Sequence, residues 1–247
     1  MKKTFIFIMM TLIITVSGCK KEKSKSLNYN DSDPLSIVLR ETRQVNATSE
    51  YDITYTTSND KVVSILNAGN IYGKNVGQAK ITLSNSYESK TVDVNVDLFR
   101  EPSLDFGCTP KAIKSQFGTP YNAGYNAEGY LVYVYSGNEG YSYACGEMDF
   151  FFESGRYIEA DVYIRKNLDN LLNNYLNESF TLTDTIKVYN PNISDSTDAL
   201  IYRYHEDMNI ICGRYPSGNE WQETFLFYTS LDEKGTNRLI RKPLRNP

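Results

Sequence analysis

A chain of 247 residues with a formal charge of −4 is long enough for one large or two small domains, and too acidic for the basic face of a nucleic-acid-binding domain. Its 20 tyrosines, against one tryptophan and one histidine in a background rich in Thr, Ser and Asn, favour β-structure with half-exposed faces. Four cysteines without paired spacing and a lone His205 offer none of the patterns of a zinc site, so neither metal nor cofactor is expected.

Lys2 and Lys3 precede an apolar run from Phe5 to Val16 that only threonines interrupt. About a dozen residues are too few to cross a hydrocarbon core, which needs ~20, and they suit the apolar region of a signal peptide. The run ends in Val16-Ser17-Gly18-Cys19. Small residues at 17 and 18 enter a narrow peptidase cleft, and the cysteine offers a thiol for lipid transfer. The segment resembles the bacterial lipobox. That resemblance implies a signal peptide over residues 1–18, with Val16, Ser17 and Gly18 recognised by the peptidase. It also implies a diacylglyceryl group on the Cys19 sulfur and an acyl chain on the new amine. The lipid would be the attachment to the membrane, because no later stretch approaches ~18 uninterrupted apolar residues. Residues 19–34 continue KKEKSKSLNYNDSDP after the cysteine, a polar stretch expected to be a flexible tether. Lys20, Lys21, Lys23 and Lys25 also suit anionic headgroups.

From 35 to 98 short alternating segments recur about every ten residues: Leu35–Leu39, Asp52–Thr56, Val62–Ile65, Ile71–Tyr72, Gln78–Leu83 and Thr91–Val96. Turn residues separate them, and the spacing predicts a β-sandwich. Tyr55 to Ile65 (YTTSNDKVVSI) and Gly69 to Thr82 (GNIYGKNVGQAKIT) resemble the WSSSDxxVAxV and GxVTGxxxGxAxIT motifs of bacterial Ig-like group 2 domains. Tyr55 stands where that family usually has tryptophan. The resemblance implies an Ig-like sandwich of the kind found in adhesins and other surface proteins, often as a spacer, and here as a stalk.

From 99 to 247 the pattern predicts an α+β domain, so that the chain as a whole is mostly β. Thr109-Pro110 marks a helix start, with Ala112, Ile113 and Phe117 expected inward. Strands follow at 130–135, 146–152 and 157–164, the last two joined by the turn at Glu153-Ser-Gly-Arg156. Asn167 is read as the cap of a second helix whose stripe is Leu168, Leu171, Leu172, Tyr175 and Leu176. Strands resume at 185–189, 199–204, 209–212 and 223–228. Two short helices on an antiparallel sheet, in the order helix, strands, helix, strands, suggest a degenerate duplication. The basic tail from Arg238 to Arg245 is expected to be exposed. The segments EPSLDFG at 101–107 and YLNE at 175–178 resemble C-terminal domains of Bacteroides-type surface lipoproteins, which implies an outer-membrane address in the cell envelope.

No nucleophile-elbow motif is present. The pairs Glu147 with Asp149 and Glu159 with Asp161 each lie i, i+2 on a strand, so both members share a face. They would serve hydrolysis only in a cleft that splits their pKa values, and otherwise form the polar side of alternation. Cys108, Cys145 and Cys212 leave two outcomes open, one bridge with one free thiol or three buried thiols. Tyr121, Tyr125, Tyr133, Tyr135, Tyr141 and Tyr143 cluster with Gly and Asn, a composition that suits sugar or protein surfaces. The expectation is a lipid-anchored, non-catalytic binding or adhesion protein with a glycan or protein ligand. An assembly lipoprotein contacting another envelope protein is the alternative, and a hydrolase stands behind both.

Overall fold

The computed structural model describes residues 23–136, 144–165, 168–190, 195–216 and 224–231. The signal-peptide residues, with Val16, Ser17, Gly18 and Cys19, lie outside that set, as do Asn167 and the basic tail.

The first unit is a β-sandwich. Its larger sheet has the order β2 (Leu35–Val38), β9 (Ser89–Asp97), β8 (Gly77–Ser84), β5 (Thr54–Thr57). Its smaller sheet has the order β3 (Thr42–Gln44), β7 (Asn70–Gly73), β6 (Val63–Ile65). Strict alternation on β9 buries Val92, Val94 and Val96, which meet Val63 and Ile71 of the facing sheet in one apolar cluster. Gly69 takes a φ of +81° and lies beneath Tyr55, whose ring atoms come within 2.7 Å of where a Cβ would stand. The glycine thus supplies both the turn and the room for the aromatic ring.

The structure corrects the tether. Leu27–Tyr29 forms a strand, β1, paired with β4 (Ala47–Ser49). Leu27 is 1% exposed, inside the sandwich core, and its N–H donates to the Glu88 carboxylate at 2.7 Å. One apolar side chain in a polar tract is enough to fold the segment, because β4 supplies backbone partners and the core has a slot for the leucine. Residues 27–34 therefore belong to the sandwich.

The second unit holds one eight-stranded antiparallel sheet and two helices. Helix α1 (Pro110–Phe117) leads into β10 (Asn122–Tyr125), β11 (Leu131–Ser136), β12 (Cys145–Glu153) and β13 (Arg156–Ile164). Helix α2 (Asp169–Ser179) leads into β14 (Phe180–Asn190), β15 (Asp195–Tyr204), β16 (Ile210–Pro216) and β17 (Thr224–Ser230). The sheet order is β10-β11-β12-β13-β17-β16-β15-β14. Each half is a helix followed by a four-strand meander, and the last strands of the two halves pair antiparallel at the centre. The halves are thus related by an approximate two-fold axis through the sheet, and the duplication is one of topology.

Both helices pack on the same face. Thr109 caps α1 by accepting from the Ala112 N–H at 3.3 Å, and Ile113 and Phe117 enter the core. Ala112, expected inward, is exposed. Helix α2 buries Leu172 and Leu176 completely, and its N-cap is Leu168, which makes no side-chain cap bond. Leu39, Leu98 and Phe99 join this same cluster, so the far end of the sandwich packs with the second unit. The opposite face carries a smaller cluster of Ala199, Ile201, Ile211, Tyr215, Phe225 and Phe227. There Gly213 sits under the Phe227 ring, and a Cβ would meet ring carbons at 1.9 and 2.0 Å.

Two stability tests follow. Leu27→Ala should lower the unfolding free energy by about 2–4 kcal/mol in urea titrations, as for a core leucine; a tether residue would leave it unchanged. Gly213→Ala should cost about 1–3 kcal/mol by forcing Phe227 out of its position, and Phe227→Leu in the same chain should recover part of that loss.

Candidate functional site

The tyrosine group divides when placed on the sheet. Tyr135 is 1% exposed and donates its hydroxyl to the Gly118 carbonyl at 3.1 Å, with its ring edge-on to Phe150. Tyr133 is half-buried against Phe152, with the Lys114 ammonium 5.8 Å from its ring centroid. These two do share a face, as alternation requires, but it is the face that α1 covers. They are core and helix contacts, which corrects their assignment to a binding surface. Tyr141 and Tyr143 lie outside the described residues.

Tyr121 and Tyr125 are different. They are 71% and 78% exposed, just before β10 and at its end, and Asn122, Ala123 and Gly124 between them are exposed as well. Strand β10 is an outer strand of the sheet, paired on one side to β11. Its hairpin is fixed locally: Asn126 accepts through Oδ1 from the N–H groups of Glu128 and Tyr130, at 3.2 and 2.9 Å. Gly129 closes the turn at a φ of +85°, donating its N–H to the Asn126 carbonyl at 3.0 Å. Two tyrosine rings and a row of backbone groups are thereby held on a rigid edge. Such an arrangement can stack on a flat ligand or extend the sheet with an added strand.

The carboxylate pairs share the helix-free face. Ala160 and Val162 point to the helix side, so Glu159 and Asp161 point away, and Asp149 on β12 stands directly opposite Asp161. Glu159 and Asp161 are buried, at 3% and 6% exposure, so they are not the solvated side of alternation. Burial pushes the nearby Tyr215 hydroxyl far above its usual range, and Asp161 adds to the effect. His205 is exposed just beyond the end of β15, its backbone N–H donating to the Ser179 carbonyl at 2.9 Å. Three strand spacings separate β15 from β13, about 14 Å at ~4.8 Å each, so the histidine does not join the carboxylates. Among the described residues no three His, Cys, Asp or Glu side chains are grouped to hold a metal ion.

Cys108, Cys145 and Cys212 are all free thiols. Cys145 and Cys212 are buried, and burial pushes the Cys212 thiol strongly up, which makes it inert. One chain of polar contacts escaped sequence reasoning. Tyr175 donates its hydroxyl to Glu101 and lies 3.2 Å from the Tyr228 hydroxyl, tying the interdomain junction to α2 and β17. In the sequence Tyr175 registers only as one apolar position of the helix stripe, and nothing there signals its partner.

No protein-family model matches the chain, and no curated protein matches it. Among solved structures, domains 5–6 of the S-layer protein SbsC are 12% identical, with 83% of this chain and 82% of that chain covered at a TM-score of 0.24. At that score the likeness establishes neither a shared fold nor a function.

The thiols give a direct test. Of the three described cysteines, a disulfide-exchange reagent should titrate Cys108 alone in the folded chain and all three in denaturant. Burial and the Asp105 carboxylate raise the Cys108 thiol above its ordinary value. Its rate should therefore fall below that of free cysteine at about pH 8 and climb as pH rises.

Proposed function

We propose that the chain is a lipid-anchored protein of the cell envelope with a non-catalytic binding role, in which the sandwich is an Ig-like stalk and the second domain presents the contact surface. The observation that carries this reading is the β10 edge, where Tyr121 and Tyr125 stand exposed on a rigid hairpin. Tyrosine gives a large contact area with few rotatable bonds, and asparagine and glycine between the rings leave room for a ligand. The separation of His205 from the carboxylates supports binding over hydrolysis. The exposed backbone of an outer strand favours an extended polypeptide ligand over a glycan, which brings an assembly role with another envelope protein within the same reading.

Lipid attachment is tested by growing cells with labelled palmitate. The label should appear in the chain, be lost in Cys19→Ser, and follow the protein into the detergent phase on Triton X-114 partitioning. For ligand binding, the chain should be screened on a glycan array and by a photo-crosslinking residue at Ala123. Whichever ligand is found, Tyr121→Ala with Tyr125→Ala should weaken it about tenfold or more while leaving the urea midpoint unchanged. A ligand held equally well by the double variant removes β10 as the site.

A further inference from the structure

Opposite ends of the sandwich carry different surfaces. Strand β9 runs from the Asn85–Glu88 turn to Asp97, and its far end packs with the second domain through Leu98 and Phe99. Nine residues at ~3.3 Å each make this span about 30 Å. At the near end Tyr51 and Tyr87 meet with ring centroids 4.7 Å apart, and Tyr87 is 52% exposed. Lys23 lies over the Tyr51 ring at 5.5 Å, and Lys25 over Tyr87 at 5.1 Å.

The chain that leads into this end is bonded to it. Asn85 donates to the Lys25 carbonyl at 3.1 Å, Ser24 donates its N–H to the Glu50 carboxylate, and the Lys23 ammonium reaches the Glu50 carbonyl at 3.4 Å. The nearby acids are Glu50, Asp52 and Glu88. Two of them accept from backbone amides, Glu50 from Ser24 and Glu88 from Leu27. This end thus presents two phenol rings and two ammonium groups, with the exposed Asp52 carboxylate beside them.

We propose that the Tyr51–Tyr87 end of the sandwich docks on an anionic lipid bilayer, with the two rings at headgroup depth and Lys23 and Lys25 on the phosphates. This rests on the lipid reading of Cys19. Three residues lie between Cys19 and Lys23, so the four steps of backbone reach at most ~14 Å. A lipid-bearing Cys19 therefore brings this end, and no other, against the membrane. Tyrosine is suited to that position because its ring is apolar and its hydroxyl is wet. Adjacent ammonium groups add attraction that falls with salt. The second domain, with β10, then stands beyond the length of β9 from the bilayer, which is the arrangement a stalk requires.

The test separates docking from acylation. The chain from residue 20, carrying an N-terminal hexahistidine tag in place of the lipid, is tethered to vesicles of phosphatidylcholine with 30 mol% phosphatidylglycerol and a nickel-chelating lipid. In a Cys108→Ser background, an environment-sensitive dye is placed at Ser86→Cys, beside Tyr87, or at Ala123→Cys on β10. The dye at 86 should shift to shorter wavelength on tethering and be quenched by nitroxide-bearing lipids, and the dye at 123 should do neither. Tyr51→Ala with Tyr87→Ala should cut the quenching at 86 by at least half, and removing phosphatidylglycerol should weaken it. An aqueous dye at 86, equal responses at 86 and 123, or quenching untouched by the double variant would each overturn the proposal. Because the tag replaces the lipid, these outcomes are independent of palmitate labelling at Cys19, which reports on acylation alone.

Discussion

The antiparallel pairing of β13 with β17 is the contact on which the second domain depends. Each helix-and-meander half has a helix on one face and an unpaired final strand. Alone, either half would expose that strand edge and much of the apolar row beneath its helix. Pairing removes both problems together. Ala160 comes opposite Tyr228, and Val162 opposite Leu226, all on the face that α1 and α2 cover. The same register sets Asp161 opposite Phe227 on the other face, where the acidic side of one half meets the aromatic side of the other. A slip of one residue would exchange these rows and bring charge under the helices.

The abundance of tyrosine takes on a structural meaning in this setting. A sheet buried on both faces needs large side chains, and a buried phenol needs a partner for its hydroxyl. Tyr135 finds the Gly118 carbonyl, Tyr157 finds the Ser103 carbonyl at 2.8 Å, and Tyr175 finds Glu101. The first two fasten loops that flank α1, and the third fastens the interdomain junction. Their hydroxyls do the work of staples in the unit that has no disulfide among its described cysteines. Only Tyr121 and Tyr125, of the tyrosines in that sequence cluster placed on the sheet, are left facing solvent.

Much of this was legible in the sequence, for physical reasons that differ by element. Thr109-Pro110 announces α1 because capping and a fixed φ are local chemistry. The Glu153–Arg156 turn announces its hairpin for the same reason, and Ser154 and Gly155 indeed take positive φ there. The stripe of α2 and the alternating valines of β9 are one-face patterns that need only one partner layer. What stayed hidden depends on contacts distant in sequence. Leu27 looks like tether until β4 is beside it. Tyr133 and Tyr135 could be assigned to one face by alternation, but which face a helix covers is decided by the whole sheet. The edge position of β10 follows from the sheet order, and the nearness of Tyr51 to Tyr87 follows from two turns that share one end of the sandwich. Local pattern says nothing of either.

The central placement of β17 also orders events in time. A chain that emerges N-terminus first presents α1 and β10 to β13 as a complete meander well before its central partner exists. Residues 160 and 228, neighbours in the finished sheet, are separated by the whole of the second half. Until β17 arrives, β13 keeps an open inner edge lined with apolar side chains, the kind of surface that attracts chaperones or stray strands. Closure is then a single late step of high contact order, and it joins two prebuilt leaves rather than adding strands one by one. A sheet that cannot close until the last of its described strands has emerged carries its own delay.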